Sequence, residues 1–258
     1  RSTVTFKDVF YQTLRGGSQN SVDTQNTGLG GTNPQQIGLG VTLNSIDVIH
    51  TQGAAAYTGN GTDLMIQGDG FFVVTDGNNY FYTRAGAFHF DDQGYLVNAD
   101  GMRVQALDDQ GNLVDIKLGV AGSDTFSGFK GSPSNGVTDS FSIDSKGIVH
   151  IVVGTNKYDS YPLAIAKFPN PAGLEKIGSN LYSWATAAGG RDTNGNFTCY
   201  GTADSFGTTI IPSALEMSNV ELAQEFTDMI ITQRGFQANA RTITTSDEML
   251  QELVNLKR

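Results

Sequence analysis

Six apolar residues stand seven apart near the end of the chain: Leu215, Leu222, Met229, Phe236, Ile243 and Leu250. Phe226, Ala240 and Val254 each follow a member of that series by four positions. These spacings fall along one side of an α-helix, and a strict seven-residue repeat is the seam of a coiled coil rather than the broad face of a helix lying on a domain. The spacing predicts a helix over 219–256, about 57 Å long at 1.5 Å per residue. No single face of a β-domain of this size covers such a length, so the seam needs another partner. Asn219, Gln233 and Asp247 occupy companion positions and are polar, and Gly235 sits in mid-helix, so the seam is weaker than a strong zipper. Ser218 with Glu221, and Ser213 with Glu216, have the spacing of capping boxes. Acidic residues early and Lys257-Arg258 at the end match the helix dipole.

Upstream of Pro212 the period changes to two. Val41, Leu43 and Ile46 are the apolar members of the alternating "VTLNSIDVIH". "DLMIQGDGFFVVTDGNNYFYTRAG" reads as two apolar strands around an Asp76-Gly77 turn. "FDDQGYLV", "LDDQGNLV" and "IDSKGIVHIVV" each place an Asp, two further residues and Gly before a strand-like run. They lack the alternating acidic ligands and closing Glu of a helix–loop–helix calcium loop, and they read as turns in which Asp bonds its own backbone and Gly supplies a positive φ. "SYPLAIAKFPNPAGLEKIGSNLYSW" predicts a strand to Phe168, a helical turn over 173–177 and a strand to Trp184. "ATAAGGRDTNGNFTCYGTADSFG" is a polar loop region. The fold class is mainly β with a long C-terminal α-helix: an antiparallel β-domain of hairpins followed by a coiled-coil-like helix. Three parts are expected: residues 1–27, with Val4, Phe6, Val9, Phe10 and Leu14, as a short ordered segment and linker; 28–212 as the β-domain; and 213–258 as the terminal helix.

Composition narrows the function. The 258 residues carry a net charge of −10 with only 16 Lys and Arg, which argues against nucleic acid or an anionic membrane as the main partner. The 32 glycines suit a turn-rich β-protein, and the single Cys199 excludes an internal disulfide and reads as a packed side chain. No apolar run reaches the length of a membrane span, and the opening "RSTVTFKDVF" has no signal-peptide pattern and reads as the middle of a structured segment. His50, His89 and His150 stand apart, with no metal spacing and no nucleophile motif beside them. "GLGGTN" and "GDGFF" lack the context of a phosphate loop. The expectation is a non-enzyme without cofactor or metal.

The segment "SNVELAQEFTDMIITQRGFQANARTITTSDEMLQELVNLKR" resembles the C-terminal segment of bacterial flagellar axial proteins, the rod and hook subunits. "DLMIQGDGFFVV", "YFYTRAGAFHFDDQGYLVNADGMRVQ" and "IAKFPNPAGLEKIGSNLYSW" are similar to β-domain motifs of the same family. Within it, "VTFKDVFYQTL", "GTNPQQIGLGV" and "LVNLKR" look most like a hook subunit, with the distal rod subunit as the alternative. The resemblance implies a structural subunit that polymerises into a curved tube, a flexible joint that carries motor torque. The terminal helices would line the inner tube and the β-domain would lie outside.

The seam residues Leu215, Leu222, Phe226, Met229, Phe236, Ala240, Ile243, Leu250 and Val254 would then be a subunit interface. The implied partners are other copies of the chain and the adjacent rod, hook-cap and hook–filament junction proteins, with no nucleic acid and no membrane insertion. The implied location is extracellular, at the hook or basal body, after export without a cleaved signal peptide. The family also implies an N-terminal helix of about three dozen residues, with the export signal, ahead of the present start. "IKLGVAGSDTFSGFKGSPSNGVTDS" stands where larger hook proteins carry a further outer domain, so one β-domain is expected. The competing class is a secreted binding module whose helical tail oligomerises.

Overall fold

The computed structural model describes residues 2–19, 31–120, 125–131, 136–191 and 198–256, with the side chains at 239, 243, 253, 254 and 256 left aside. Its centre is the strand Phe71–Thr75. Successive side chains of a strand point to opposite faces, and here both faces are covered. Phe72 and Val74 enter one apolar cluster with Leu64, Phe88, Leu96 and Leu163. Phe71 and Val73 enter a second with Tyr82, Ala164, Phe168 and Cys199. A strand buried on both sides loses its alternation and reads as an unbroken apolar run, as "FFVV" does.

This strand pairs antiparallel with Tyr80–Thr83, with Thr75 opposite Tyr80, which closes the hairpin expected at Asp76-Gly77. The two belong to a ten-stranded sheet that continues through Arg103–Leu107, Leu96–Asn98 and Phe88–Phe90 on one side and Leu181–Ser183 and Glu175–Gly178 on the other. A four-stranded sheet, with Val149–Val153 inside it, packs into the first cluster through Ile143, Val149 and Ile151.

The Asp-x-x-Gly repeats are reverse turns of one construction. The Gly94, Gly101, Gly111 and Gly147 amides donate to the carbonyls of Asp91, Asn98, Asp108 and Asp144 at 2.9–3.1 Å. Asp91 Oδ1 accepts from the amides of Gln93 and Tyr95, and Asp144 Oδ1 from those of Lys146 and Ile148. The glycine takes φ of +78° to +86°, where a side chain is strained. Oxygens used this way hold the backbone rather than an ion. Among the described residues no three His, Cys, Asp or Glu side chains converge as a metal would need.

Three local readings differ from the structure. "DLMIQGDGFFVV" is two strands, because Gly68 and Gly70 take positive φ and turn the chain; Leu64–Gln67 pairs with Thr209–Pro212 instead of its neighbour. The helical turn near Gly173 is a 3-10 turn at Pro171–Gly173, and Glu175–Gly178 is a strand paired with Leu181–Ser183. After Pro212 comes one more strand, Ala214–Glu216, paired with Ala55–Tyr57, before the helix begins at Leu222. The Ser213 carbonyl accepts from the amides of Thr58 and Gly59, and Ser213 has φ of +59°, a turn and not a cap. Ser218 Oγ accepts from the amide of Val220, two residues on, so neither predicted capping box forms.

Residues 2–19 and 31–48 stand apart from both sheets. Ser2–Asp8 pairs with Val41–Val48, and Tyr11–Arg15 with Gln35–Gly38, making one antiparallel ribbon. The expected boundary at 27/28 lies outside the described residues. At the other end the helix Leu222–Leu256 runs for 35 residues, about 52 Å at 1.5 Å per residue. No described helix is long and apolar enough to cross a membrane.

Candidate subunit interface

The helix leaves the β-domain without packing on it. Leu222, Phe226, Met229, Phe236 and Leu250 are 67, 58, 51, 77 and 59 % exposed, and Ala240 is exposed too. Ile243 and Val254 lie outside the described side chains. Leu215, expected to open the seam, is on the Ala214–Glu216 strand opposite Ala56, so the seam begins one heptad later. Apolar residues also stand off the seam. Ile231 and Met249, both exposed, project about 180° from Leu222 at 100° per residue. A helix that is apolar on opposite sides is suited to neighbours on more than one side.

The ribbon repeats the pattern at period two. Val4 lies opposite Ile46, and Phe6 opposite Leu43, so all four share one face. The other face carries Thr3 with Asp47, Thr5 with Ser45 and Lys7 with Thr42. The apolar face is open: Phe6 is 69 % exposed and Val41 72 %. Phe10 and Leu14, from the same expected apolar set, are exposed as well, while Val9 is half-buried. Exposed apolar groups gathered on one ribbon face and along one helix are the mark of a surface that meets another chain.

Ribbon and helix leave the β-domain at one corner. There Arg84 Nε donates to Glu216 Oε2 at 2.9 Å, and its other nitrogens donate to the carbonyls of Gly70 and Gly68, each at 3.1 Å. Glu216 Oε1 accepts from the amide of Gly53 at 2.9 Å. Asn219 Nδ2 donates to the carbonyls of Ile49 and Thr51 and to the Thr51 hydroxyl. Asn219, expected in the helical seam, thus precedes the helix and ties it to the end of the ribbon. A cavity of about 620 Å³ opens beside these groups, lined by His50, Lys176 and Tyr182 among others. His50 packs edge-on against Phe71 and Tyr182. Burial first, then the positive charges of Arg84 and Lys176, hold the His50 pKa below the usual histidine value.

The spacing rules pass over Arg84 and put Glu216 in a capping box and Asn219 in the helical seam, because the partners of all three lie far off in sequence. One signal was available. Arg84 is the one charged residue in the run "YFYTRAGAF", and a charge folded into apolar surroundings needs a partner.

Comparison with known proteins bears on the interface and the β-domain together. The model described as flagellar basal body rod FlgEFG protein C-terminal matches residues 211–256, and the model described as flagellar hook protein FlgE/F/G D1 domain matches 65–151. The chain is 43 % identical to the flagellar basal-body rod protein FlgG of Bacillus subtilis over 260 residues, covering all of this chain and 87 % of that one. It is 34 % identical to FlgG of Buchnera aphidicola from Acyrthosiphon pisum, covering 99 % and 86 % of the two chains. It is 29 % identical to the flagellar hook protein FlgE of Borreliella burgdorferi over 417 aligned residues, covering 100 % and 92 %.

Proposed function

The chain belongs to the flagellar rod and hook axial protein family, a family of structural subunits rather than enzymes, and from that membership we propose that it is a rod-type subunit whose ribbon and terminal helix are the self-assembly surfaces. The observation that carries the rod reading is alignment economy. The B. subtilis rod protein matches this 258-residue chain over 260 aligned residues at 43 % identity, whereas two hook proteins need 417 and 440 at 29 % and 27 %. The hook proteins are therefore longer by segments that have no counterpart here. The hook reading, favoured by the terminal motifs, is supported by the alignment of those same hook proteins along the whole chain.

In either reading the terminal helices pack together as the inner wall of a tube and the β-domain lies outside. Apolar groups on opposite sides of the helix support this, since a helix within a tube wall has neighbours on both flanks. Neighbouring axial proteins of rod, hook and junction would be met end to end by the same surfaces, outside the cell membrane. Antibody raised against this chain should decorate flagella isolated from the cells that make it. Label on the straight segment within the basal body supports the rod reading. Label on the curved segment beyond it establishes the hook reading, and no label on either refutes both.

A further inference from the structure

Two segments connect the β-domain to what lies beyond it: 49–54, from the ribbon, and 216–221, into the helix. They run side by side. The Met217 amide donates to the Ala54 carbonyl at 2.8 Å. A methyl group added at Gly53 would stand 1.9 Å from the Met217 carbonyl oxygen, so the two backbones touch with no room for a side chain. Across this contact lies the Arg84–Glu216 pair, with side chains only 18 % and 13 % exposed. Arg84 reaches back into the body of the domain through the carbonyls of Gly68 and Gly70, and Glu216 reaches across to Gly53. Asn219 closes the contact on the far side, on Ile49 and Thr51. Only Val220 and Glu221 then separate the last fixed residue from the helix.

We propose that Arg84, Glu216 and Asn219 form a clamp that fixes the direction in which the terminal helix leaves the β-domain, so that a twist of the helix is carried into the outer domain. Of the described side chains of this helix all but Glu225 are exposed, so apolar packing against the domain does not orient it. Its direction is set by the segment that leads into it, and that segment is held by these three side chains. A planar guanidinium with donors spread over a fixed fork is suited to bind two carbonyls and a carboxylate at once, which a lysine ammonium does poorly. The pair is mostly withdrawn from water, so removing one partner leaves the other partly buried and unpaired. The functional sense of the clamp rests on the axial-subunit reading, in which helix and outer domain sit at different radii of one rotating tube. These are positioning residues; the assembly surfaces remain the ribbon and the helix.

The test is made on the full chain. Spin labels are placed at Asp76→Cys, in a turn of the β-domain, and at Gln224→Cys, in the first helical turn, with Cys199→Ser as background. Pulsed dipolar spectroscopy should give one narrow distance that is lost in Arg84→Gln and in Asn219→Ala, while the β-domain still melts cooperatively, at a lower temperature in Arg84→Gln. Exchange of the Gly53 amide should speed up about tenfold in Arg84→Gln as its charged acceptor swings away. Asn219→Ala cuts bonds between the two connecting segments and leaves the Arg84–Glu216 pair in place, so it decides the matter if Arg84→Gln does not fold. A broad distance already in the parent chain, or a narrow one kept in the folded variants, overturns the clamp. Because the measurement is on single chains, its failure would leave the labelling test of the axial reading untouched.

Discussion

Phe72 and Phe236 are the same side chain in two settings. Phe72 is fully buried, with its ring edge-on to Phe88 at 5.2 Å. Phe236 is 77 % exposed on a helix whose described apolar side chains are open to solvent. Both sit in apolar patterns, one the unbroken run of a strand buried on both faces and one of period seven. The pattern identifies the element and which of its faces is apolar, but it does not say whether this chain or another covers that face. In the β-domain the cover is internal and reached through non-local strand pairs. In the ribbon and helix it is left open, and in our proposal a neighbouring copy supplies it.

The comparison can be broken most visibly with a protease. Trypsin should cut after Arg15 in the ribbon and after Arg234 and Arg241 in the helix long before it reaches Arg84 or Arg103 in the main sheet, because access follows local opening. The surviving core should run from residue 16 to Arg234, since no Lys or Arg lies between Arg15 and Arg84 or between Arg191 and Arg234, and it should keep the cooperative melt of one autonomous block flanked by two trimmed arms. Early cleavage at Arg103 would refute that division.

A pair of substitutions then puts a magnitude on the difference. Phe72→Ala should lower the unfolding free energy by about 3–5 kcal/mol, read from urea melts. Phe236→Ala should change it by less than about 0.5 kcal/mol and instead reduce the amount of pelletable polymer. Equal destabilisation by both would mean that the helix packs on its own domain.

Gly235→Ala sharpens the picture further. Among the described residues nothing beyond the helix's own backbone lies within 4 Å of the added methyl, so the isolated chain should gain helicity worth about 1 kcal/mol, seen by circular dichroism. If the polymer weakens with the same substitution, a neighbouring helix approaches closest there.

The smallest effect concerns pH. The His50 pKa is lowered in the folded chain, chiefly by burial and then by Arg84 and Lys176. The native state therefore resists protonation. Stability attributable to this group is fully present above the ordinary histidine pKa of about 6.5 and is lost as pH falls from there through the lowered value. Melts at pH 7.5 and 5 should show this loss, and His50→Gln should reduce the difference. An NMR titration that put the His50 pKa above the ordinary value would reverse the sign.

How much of this was legible in the sequence follows from how local each feature is. The Asp-x-x-Gly turns could be read directly, since all their bonds lie within five residues. So could the hairpin around Gly77 and the helix from Leu222 onward. The strand Ala214–Glu216 could not, because "ALE" has helical preference and becomes a strand only by pairing with Ala55–Tyr57, about 160 residues earlier. The same holds for the ribbon, whose strand Ser2–Asp8 is defined by Val41–Val48. The corner is the extreme case. Arg84, Glu216 and Gly53 come together across separations of 132 and 163 residues, and no spacing rule spans such distances. The interface residues were legible as an apolar series but not as a surface, and Leu215 was assigned to the helix because seven-residue spacing does not register where a strand ends.

Amide exchange measured on the same chain as monomer and as polymer separates cover supplied within the chain from cover supplied by a neighbour. Phe71–Thr75 and Val149–Val153 should be strongly protected in both states. Ser2–Asp8 and Leu222–Leu256 should be weakly protected in the monomer, because opening them uncovers little buried apolar surface, and strongly protected in the polymer. Strong protection of the helix in a verified monomer, or persistent rapid exchange of ribbon and helix in the polymer, would contradict this.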